Sequence, residues 1–162
     1  MLYPGVARTP HPPTASDCRD TGRRSSAQAG LAFSNAILGA VHAMSHSLGG
    51  YLDLPHGQCN SLLLEHVVAY NFQAAPERFG AVAEAMGIDT RGMTSADIKK
   101  RLMLRIVQLK QAVGLEGKLG QLGVSNSDIP YLSRFAMQDP CIMTNPRKSE
   151  QRDVEVVYEE AL

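Results

Sequence analysis

The sequence predicts an all-α fold, a helical bundle, and three observations support this. Apolar residues recur at helical spacing in several segments from about residue 26 to the C-terminus. Helix-starting and helix-ending residues punctuate these segments. No segment shows the sustained period-two alternation of a half-buried strand, and we find no internal repeat. The chain therefore suits one helical core rather than a mixed α/β domain.

The first two predicted helices lie on either side of a glycine pair. The first begins near Ser26 and shows an apolar stripe at spacings of four, four and three: Phe33, Ile37, Val41 and Met44. Gly49-Gly50 is expected to end it. A turn at Pro55-His56-Gly57 leads to a second helix from about Gln58 to Tyr70. Its apolar content is nearly continuous, which predicts a central, buried position.

The next two helices have clear local signals. Pro76 suits the first turn of a third helix, Glu77 favours its positive dipole end, and Gly87 closes it. Thr94 and Asp97 resemble a capping box at the start of a fourth helix. Its predicted inner face comprises Ile98, Leu102, Ile106, Leu109 and Val113.

The remaining chain predicts a loop and two further helices. Residues 114–123 contain four glycines and are typical of a loop. Ser127 can cap a helix from Asp128 to about Met137, which Asp139-Pro140 ends. A last helix from about Glu150 to Ala161 is expected to bury Val154, Val157 and Tyr158.

Residues 1–24 differ from the rest of the chain. They contain four prolines and show no periodicity. We therefore predict an irregular or flexible tail over residues 1–24 and an all-helical domain over residues 25–162. A truncated gene, an altered reading frame or an expression artefact could each account for the tail.

Composition excludes several classes of protein. The 162 residues carry zero formal net charge, which argues against a nucleic-acid-binding surface. The longest apolar stretch, around residues 29–44, is too short and too polar to span a bilayer, and no signal peptide is evident. Three widely spaced cysteines do not indicate a disulfide framework. These features predict a cytoplasmic protein that binds neither nucleic acid nor membrane.

Four of the five histidines fall between Asn35 and Asn71. His42 and His46 are four residues apart, which places both rings on one helix face, and His56 returns from the predicted turn. Imidazole is the commonest protein metal ligand near neutral pH. This cluster predicts metal binding, but three imidazoles do not choose between zinc, iron, nickel and copper. Spacing alone favours the pair His42 and His46.

The same stretch resembles a specific family. GAVHAMSHSLGGYLDLPHGQCNSLLLEHVVAYN is similar to the signature of the iron-containing (group III) alcohol dehydrogenases, and the similarity continues through ERFGAVAEAMG and DPCIMTNPR. It covers about residues 28–162. The resemblance implies the all-α C-terminal domain of the iron-containing alcohol dehydrogenase and dehydroquinate synthase-like fold.

The resemblance also implies a chemistry. Family enzymes transfer hydride between NAD(P) and an alcohol, and a metal, Fe²⁺ or alternatively Zn²⁺, binds the alcohol oxygen. His42 and His56 match two metal ligands by motif position, whereas an upstream Asp and His have no counterpart here. NAD(P) would be bound by an N-terminal α/β domain that this chain does not match. No G-x-G-x-x-G motif is present.

Other residues receive roles from the same resemblance, each with an alternative. His46 matches a histidine beside the metal, which takes part in proton relay or nicotinamide contact, or only supports the ligands by hydrogen bonding. Phe33 and Cys141 match substrate-pocket positions, but simple packing would also explain each. We interpret His66 as structural. Glu65 departs from the family, which commonly has proline there.

The expected function is therefore that of a metal-binding domain of an iron-dependent NAD(P) alcohol dehydrogenase, inactive as this piece alone. A small alcohol or aldehyde would be the substrate of the complete enzyme. We expect an exposed apolar surface around Phe33, His42 and His56, and hence a homo-oligomer. The alternatives are a small helical metal-binding or interaction protein without catalysis, and a truncated product without activity.

Overall fold

The computed structural model describes the backbone of residues 15–162 and the side chains of residues 19–162. Over this range it forms seven α-helices and three short 3₁₀ segments, and no strand. The prediction of an all-α fold is confirmed. The helices are α1 (Ala15–Ala36), α2 (Ala40–Leu52), α3 (His56–Asn71), α4 (Pro76–Ala85), α5 (Ser95–Ala112), α6 (Ile129–Gln138) and α7 (Gln151–Ala161). The 3₁₀ segments are Phe72–Ala74, Leu119–Leu122 and Pro140–Thr144. None of the described helices is long and apolar enough to cross a membrane.

The described residues divide into two units, one that ends at Ile37 and one over Leu38–Leu162. In the first unit, α1 begins at Ala15, so residues 15–24 are helical where the sequence predicted an irregular tail. The physical reason is that residues 19–29 are all exposed; a helix that buries no face carries no apolar stripe to reveal it. Residues 1–14, with the four prolines, lie outside the described range. The boundary between residues 24 and 25 stays a prediction.

The predicted continuous helix from residue 26 to Gly49 is wrong, because the helix breaks after Ala36. Ile37 has φ 59°, in the left-handed region, which ends α1. Gly39 precedes α2 in an extended conformation, and the backbone N–H of Ala40 donates to the side-chain oxygen of Asn145 at 3.1 Å. A Cβ at Gly39 would lie 3.2 Å from that same oxygen. A contact with a residue far along the chain therefore fixes the start of α2.

The predicted stop at Gly49-Gly50 is also wrong, since α2 continues to Leu52 and ends where Asp53 adopts φ 53°. A Cβ at Gly49 would lie 3.5 Å from the carbonyl oxygen of Leu54 and 3.6 Å from Sγ of Cys59. Gly49 thus lies at a close approach between α2 and the start of α3, inside the helix rather than at its end.

Two groups of buried side chains form the core of the second unit. The larger group joins α2, α3, α6 and α7; Tyr158 is fully buried there and donates its hydroxyl to the carbonyl of Met44 at 2.8 Å. The smaller group joins α3, α4 and α5 around Phe72, Ala83, Leu102 and Ile106. Val154, Val157 and Tyr158 are buried as predicted. The predicted inner face of α5 is too long, because Leu109 and Val113 are 42% and 59% exposed.

The helix starts follow the local signals in most cases. Thr94 accepts a hydrogen bond from the backbone N–H of Asp97 at 3.2 Å, which confirms it as a cap. Pro76 lies in the first turn of α4, as predicted. Ser127 is not the cap of α6, which begins after Asp128, and it contributes no side-chain cap to that helix.

Candidate metal centre

Three histidine rings meet where α2 lies beside the start of α3. His42 and His46 come from α2, and His56 is the first residue of α3, directly after Pro55. The ring centroids are 5.2 Å apart for His42 and His56, 5.1 Å for His46 and His56, and 6.1 Å for His42 and His46. His56 was expected in a turn; it instead opens a helix because Pro55, at φ −56°, supplies the N-cap position. The cluster lies at the edge of the core, with His42 half-buried and His46 and His56 exposed.

Asn60 connects two of these rings. Its side-chain nitrogen lies 2.9 Å from Nε2 of His56 and 3.4 Å from Nε2 of His42. An amide nitrogen can only donate, so both Nε2 atoms act as acceptors and both neutral rings carry their proton on Nδ1. The Nε2 atoms of His42 and His56 therefore both face the side-chain nitrogen of Asn60. The side-chain oxygen of Asn60 is buried without a hydrogen-bond partner.

The electrostatics of the cluster favour unprotonated imidazole at His42. Burial lowers the pKa of His42 below 6.5, and repulsion from His56 and His46 lowers it further, although Asp139 acts in the opposite direction. A ring must be unprotonated to bind a metal ion. Two imidazoles whose Nε2 atoms face the same side chain are a donor set that suits Fe²⁺ or Zn²⁺, so these residues fit the metal that the family resemblance implies.

His46 is oriented by a carboxylate from a distant part of the chain. Its Nδ1 lies 2.7 Å from Oδ2 of Asp139, and the other oxygen of Asp139 accepts from the backbone N–H of Cys141 at 2.8 Å. Partial burial raises the pKa of Asp139, but the hydrogen bonds from His46 and Cys141 lower it more, so it lies below 3.8. Asp139 is therefore a carboxylate near neutral pH. It can only accept, which places a proton on Nδ1 of His46.

Cys141 lies beside His46 and Asp139, although the family resemblance implied only a substrate-pocket position for it. A ring nitrogen of His46, a carboxylate oxygen of Asp139 and Sγ of Cys141 all lie within 4.8 Å of one another. Burial raises the pKa of the Cys141 thiol, and the neighbouring Asp139 carboxylate raises it further. Cys141 is thus a thiol rather than a thiolate near neutral pH.

Phe33 and His66, the two other residues that the sequence singled out, lie in different units of the fold. Phe33 belongs to the first unit, where its side chain is 48% exposed. His66 is half-buried on α3; burial lowers its pKa, and Glu65 opposes this effect.

Glu65, which stands where the family suggested by the resemblance commonly has proline, accepts a hydrogen bond from the buried Lys110 at 2.6 Å. This ion pair connects α3 with α5. The sequence offered no sign of this pair.

Two residues of the site were given no role from the sequence. Asn60 stands four residues after His56, a spacing that places both on one helix face, so this neighbour could have been found. Asp139 was interpreted only as the end of a helix. It is 93 residues from His46, and no local pattern links the two.

Comparisons with known proteins identify the family of this chain. Residues 12–162 match the model for the Fe-containing alcohol dehydrogenase family, C-terminal. The 1,3-propanediol dehydrogenase of Klebsiella pneumoniae is 41% identical over 133 residues, which cover 82% of this chain and 34% of that protein. The NAD-dependent methanol dehydrogenase of Bacillus methanolicus is 36% identical over 134 residues, 83% of this chain and 35% of that protein.

A solved structure shows the same arrangement of helices. The crystal structure of a 1,3-propanediol oxidoreductase matches with a TM-score of 0.80 at 40% identity, and the match covers 83% of this chain and 35% of that one. The chain thus spans about a third of the length of the relatives it matches. The family expected from the histidine signature is confirmed: the chain belongs to the Fe-containing alcohol dehydrogenase family and corresponds to its C-terminal domain.

Proposed function

We propose that this chain provides the metal-binding helical domain of an iron-dependent NAD(P) alcohol dehydrogenase, with His42 and His56 as metal ligands. The observation that carries the proposal is the convergence of the two Nε2 atoms on the single side-chain nitrogen of Asn60. A divalent ion bound by these two Nε2 atoms, in place of their contacts with Asn60, would polarise the alcohol oxygen and lower its pKa.

The histidines of this chain would then have two roles, metal binding and proton transfer. His42 and His56 present nitrogen donors, and the lowered pKa of His42 keeps that ring unprotonated at neutral pH. His46 holds a proton on Nδ1 against the Asp139 carboxylate, which leaves Nε2 of the neutral ring as an acceptor. We propose His46 as the group that accepts or relays a proton. Its Nδ1 is held by Asp139, and its Nε2 can accept and release a proton.

The substrate and cofactor belong to the complete enzyme. We propose a small alcohol or aldehyde as substrate, supported by relatives whose names specify 1,3-propanediol and methanol. The NAD dependence named for the methanol dehydrogenase supports a nicotinamide cofactor, which would be bound outside the residues described here. Phe33 and Cys141 are proposed substrate-pocket residues on the family resemblance.

Two further proposals concern the state of the protein in the cell. We propose a cytoplasmic location and a homo-oligomer. The apolar surface expected around Phe33, His42 and His56 stays a prediction, and exposed apolar side chains on α6 also support self-association. Tyr131 and Phe135 on α6 are 47% and 42% exposed, with ring centroids 4.6 Å apart, and exposed apolar patches commonly find partners. Sedimentation velocity at rising protein concentration tests the second proposal, and a strict monomer at high concentration would contradict it.

A domain exchange tests the proposed function. Residues 28–162 would replace the matching third of the Klebsiella pneumoniae 1,3-propanediol dehydrogenase, and NAD-linked oxidation of 1,3-propanediol would be measured with Fe²⁺. We expect turnover in the chimera and its loss in His42→Ala and His56→Ala, whereas the control His66→Gln keeps it. A folded chimera that binds Fe²⁺ and NAD but shows no turnover would contradict the enzyme role and favour a non-catalytic metal-binding protein.

A further inference from the structure

We propose a second metal site in this chain, formed by His46, Asp139 and Cys141, that takes a thiophilic divalent ion such as Zn²⁺. The three donor atoms come within 4.8 Å of one another. The site uses none of the atoms assigned to the proposed iron site, since that site takes Nε2 of His42 and of His56.

The donors are held by two separate parts of the fold. His46 projects from α2, whereas Asp139 and Cys141 belong to the turn that begins the 3₁₀ segment Pro140–Thr144. The backbone N–H of Cys141 donates to Oδ1 of Asp139, so Oδ2 is the oxygen that faces His46, at 2.7 Å from Nδ1. Two of the three donors thus already share one hydrogen between them.

A metal ion can take the place of that hydrogen. Zinc binds nitrogen and oxygen at about 2.0–2.2 Å and sulfur at about 2.3 Å, so donor atoms around one ion lie about 3.3–3.7 Å apart. Nδ1 and Oδ2 would separate from 2.7 Å to admit the ion, and Sγ lies within 4.8 Å of both. On binding, the proton on Nδ1 of His46 moves to Nε2, Asp139 is already a carboxylate, and the Cys141 thiol loses one proton to solvent. The His46 side chain is 42% exposed, which leaves room for water as a fourth ligand.

The chemistry of the set selects the metal. A thiolate with one imidazole and one carboxylate prefers Zn²⁺ or Co²⁺ over a hard cation such as Mg²⁺. An ion held there would also occupy Nδ1 of His46 and displace its hydrogen bond to Asp139. The second site would therefore remove His46 from the proton-handling role proposed above.

The test uses Co²⁺ with the full chain of 162 residues under a non-chelating reductant. A sulfur-to-cobalt charge-transfer band reports a thiolate ligand, and added Zn²⁺ should abolish it. We expect the band in the parent chain and its loss in Cys141→Ser, Cys141→Ala and His46→Ala. Cys18→Ser and Cys59→Ser are the matched thiol controls and should keep it. Circular dichroism verifies that each variant is folded.

The double variant His42→Ala/His56→Ala separates the two sites. If the band persists in it, the thiolate site is independent of the proposed iron site. If the folded double variant loses the band, sulfur binds as part of the histidine site, and the second site is refuted. A band that survives in Cys141→Ser, or that never forms although His42 and His56 still bind Co²⁺, would also refute it and leave the proposed function intact.

Discussion

His46 donates from Nδ1 to Oδ2 of Asp139 across 2.7 Å, although 93 residues separate the two in the chain. This contact joins α2 to the segment that follows α6. It fixes the orientation of one ring in a cluster of three histidines, and it determines which nitrogen carries the proton. The contact also makes Asp139 part of the candidate site, together with the backbone N–H of Cys141 that holds its other oxygen.

The fold of this chain should not depend on metal. Neither group of buried apolar side chains includes His42, His46 or His56, so the core is formed without the histidines. Chelator-treated protein should keep its helical signal in circular dichroism. Loss of helix on chelation would show that metal binding supplies folding energy, as it does in small zinc domains.

The buried pair of Lys110 and Glu65 should contribute to stability only as a pair. Lys110 is 6% exposed, and its ammonium lies 2.6 Å from both carboxylate oxygens. Lys110→Met leaves the partly buried Glu65 charge with only His66, 3.7 Å away, and should lower the free energy of unfolding by about 1.5–3 kcal/mol. The double variant Lys110→Met/Glu65→Gln should recover part of this loss. Urea titration measures all three proteins; a double variant less stable than Lys110→Met would contradict the prediction.

The stability of the fold should decrease as pH falls below neutral. Burial lowers the pKa of His66 below 6.5, so the unfolded chain takes up a proton at a higher pH than the folded chain does. The unfolded state then binds more protons in this range, and unfolding becomes easier as pH drops through 6.5. His42, whose pKa is also lowered, acts in the same direction.

Urea titrations at about pH 7.5 and about pH 5.5 measure this dependence. His66→Gln should lose less stability between the two values than the parent chain, whereas a control change at an exposed site, Gln73→Ala, should leave the difference unchanged. An equal loss in the parent and His66→Gln would exclude His66 as a source of the dependence.

This chain alone should not oxidise alcohols. The part of the chain that the structure describes has no strand from which to build a dinucleotide-binding sheet, and two histidines supply only part of a metal coordination shell. The assay would combine purified protein, Fe²⁺, NAD or NADP, and short-chain alcohols. Turnover on the order of 1–10³ s⁻¹ would contradict the prediction.

Local signals predicted most helix starts, because a cap or a first-turn proline acts within one turn. Thr94 and Pro76 show this. The helix break after Ala36 was not predictable in this way, because the start of α2 depends on a hydrogen bond to the distant Asn145. Nor was the helical position of Gly49, which depends on the close approach of Leu54 and Cys59.

In the candidate site, too, local sequence signals predicted some residues, and long-range contacts determine the others. The spacing of His42, His46 and His56 identified the cluster, and the family signature suggested which two bind metal. Asp139 was not identified, because its partner His46 is distant in sequence and only the packing of α2 against the 139–144 segment brings them together.

The identity of the metal ligands is the central claim, and single alanine variants titrated with Fe²⁺ or Zn²⁺ test it most directly. Two imidazoles leave most coordination positions to water, so binding should be weak and should weaken further as pH falls, because protonated imidazole cannot bind metal. His42→Ala and His56→Ala should abolish Fe²⁺ binding, while His46→Ala should weaken it by about 10–100-fold at most. If His46→Ala abolishes Fe²⁺ binding and His56→Ala leaves it intact, the site is the pair on α2 and the assignment of His42 with His56 is wrong.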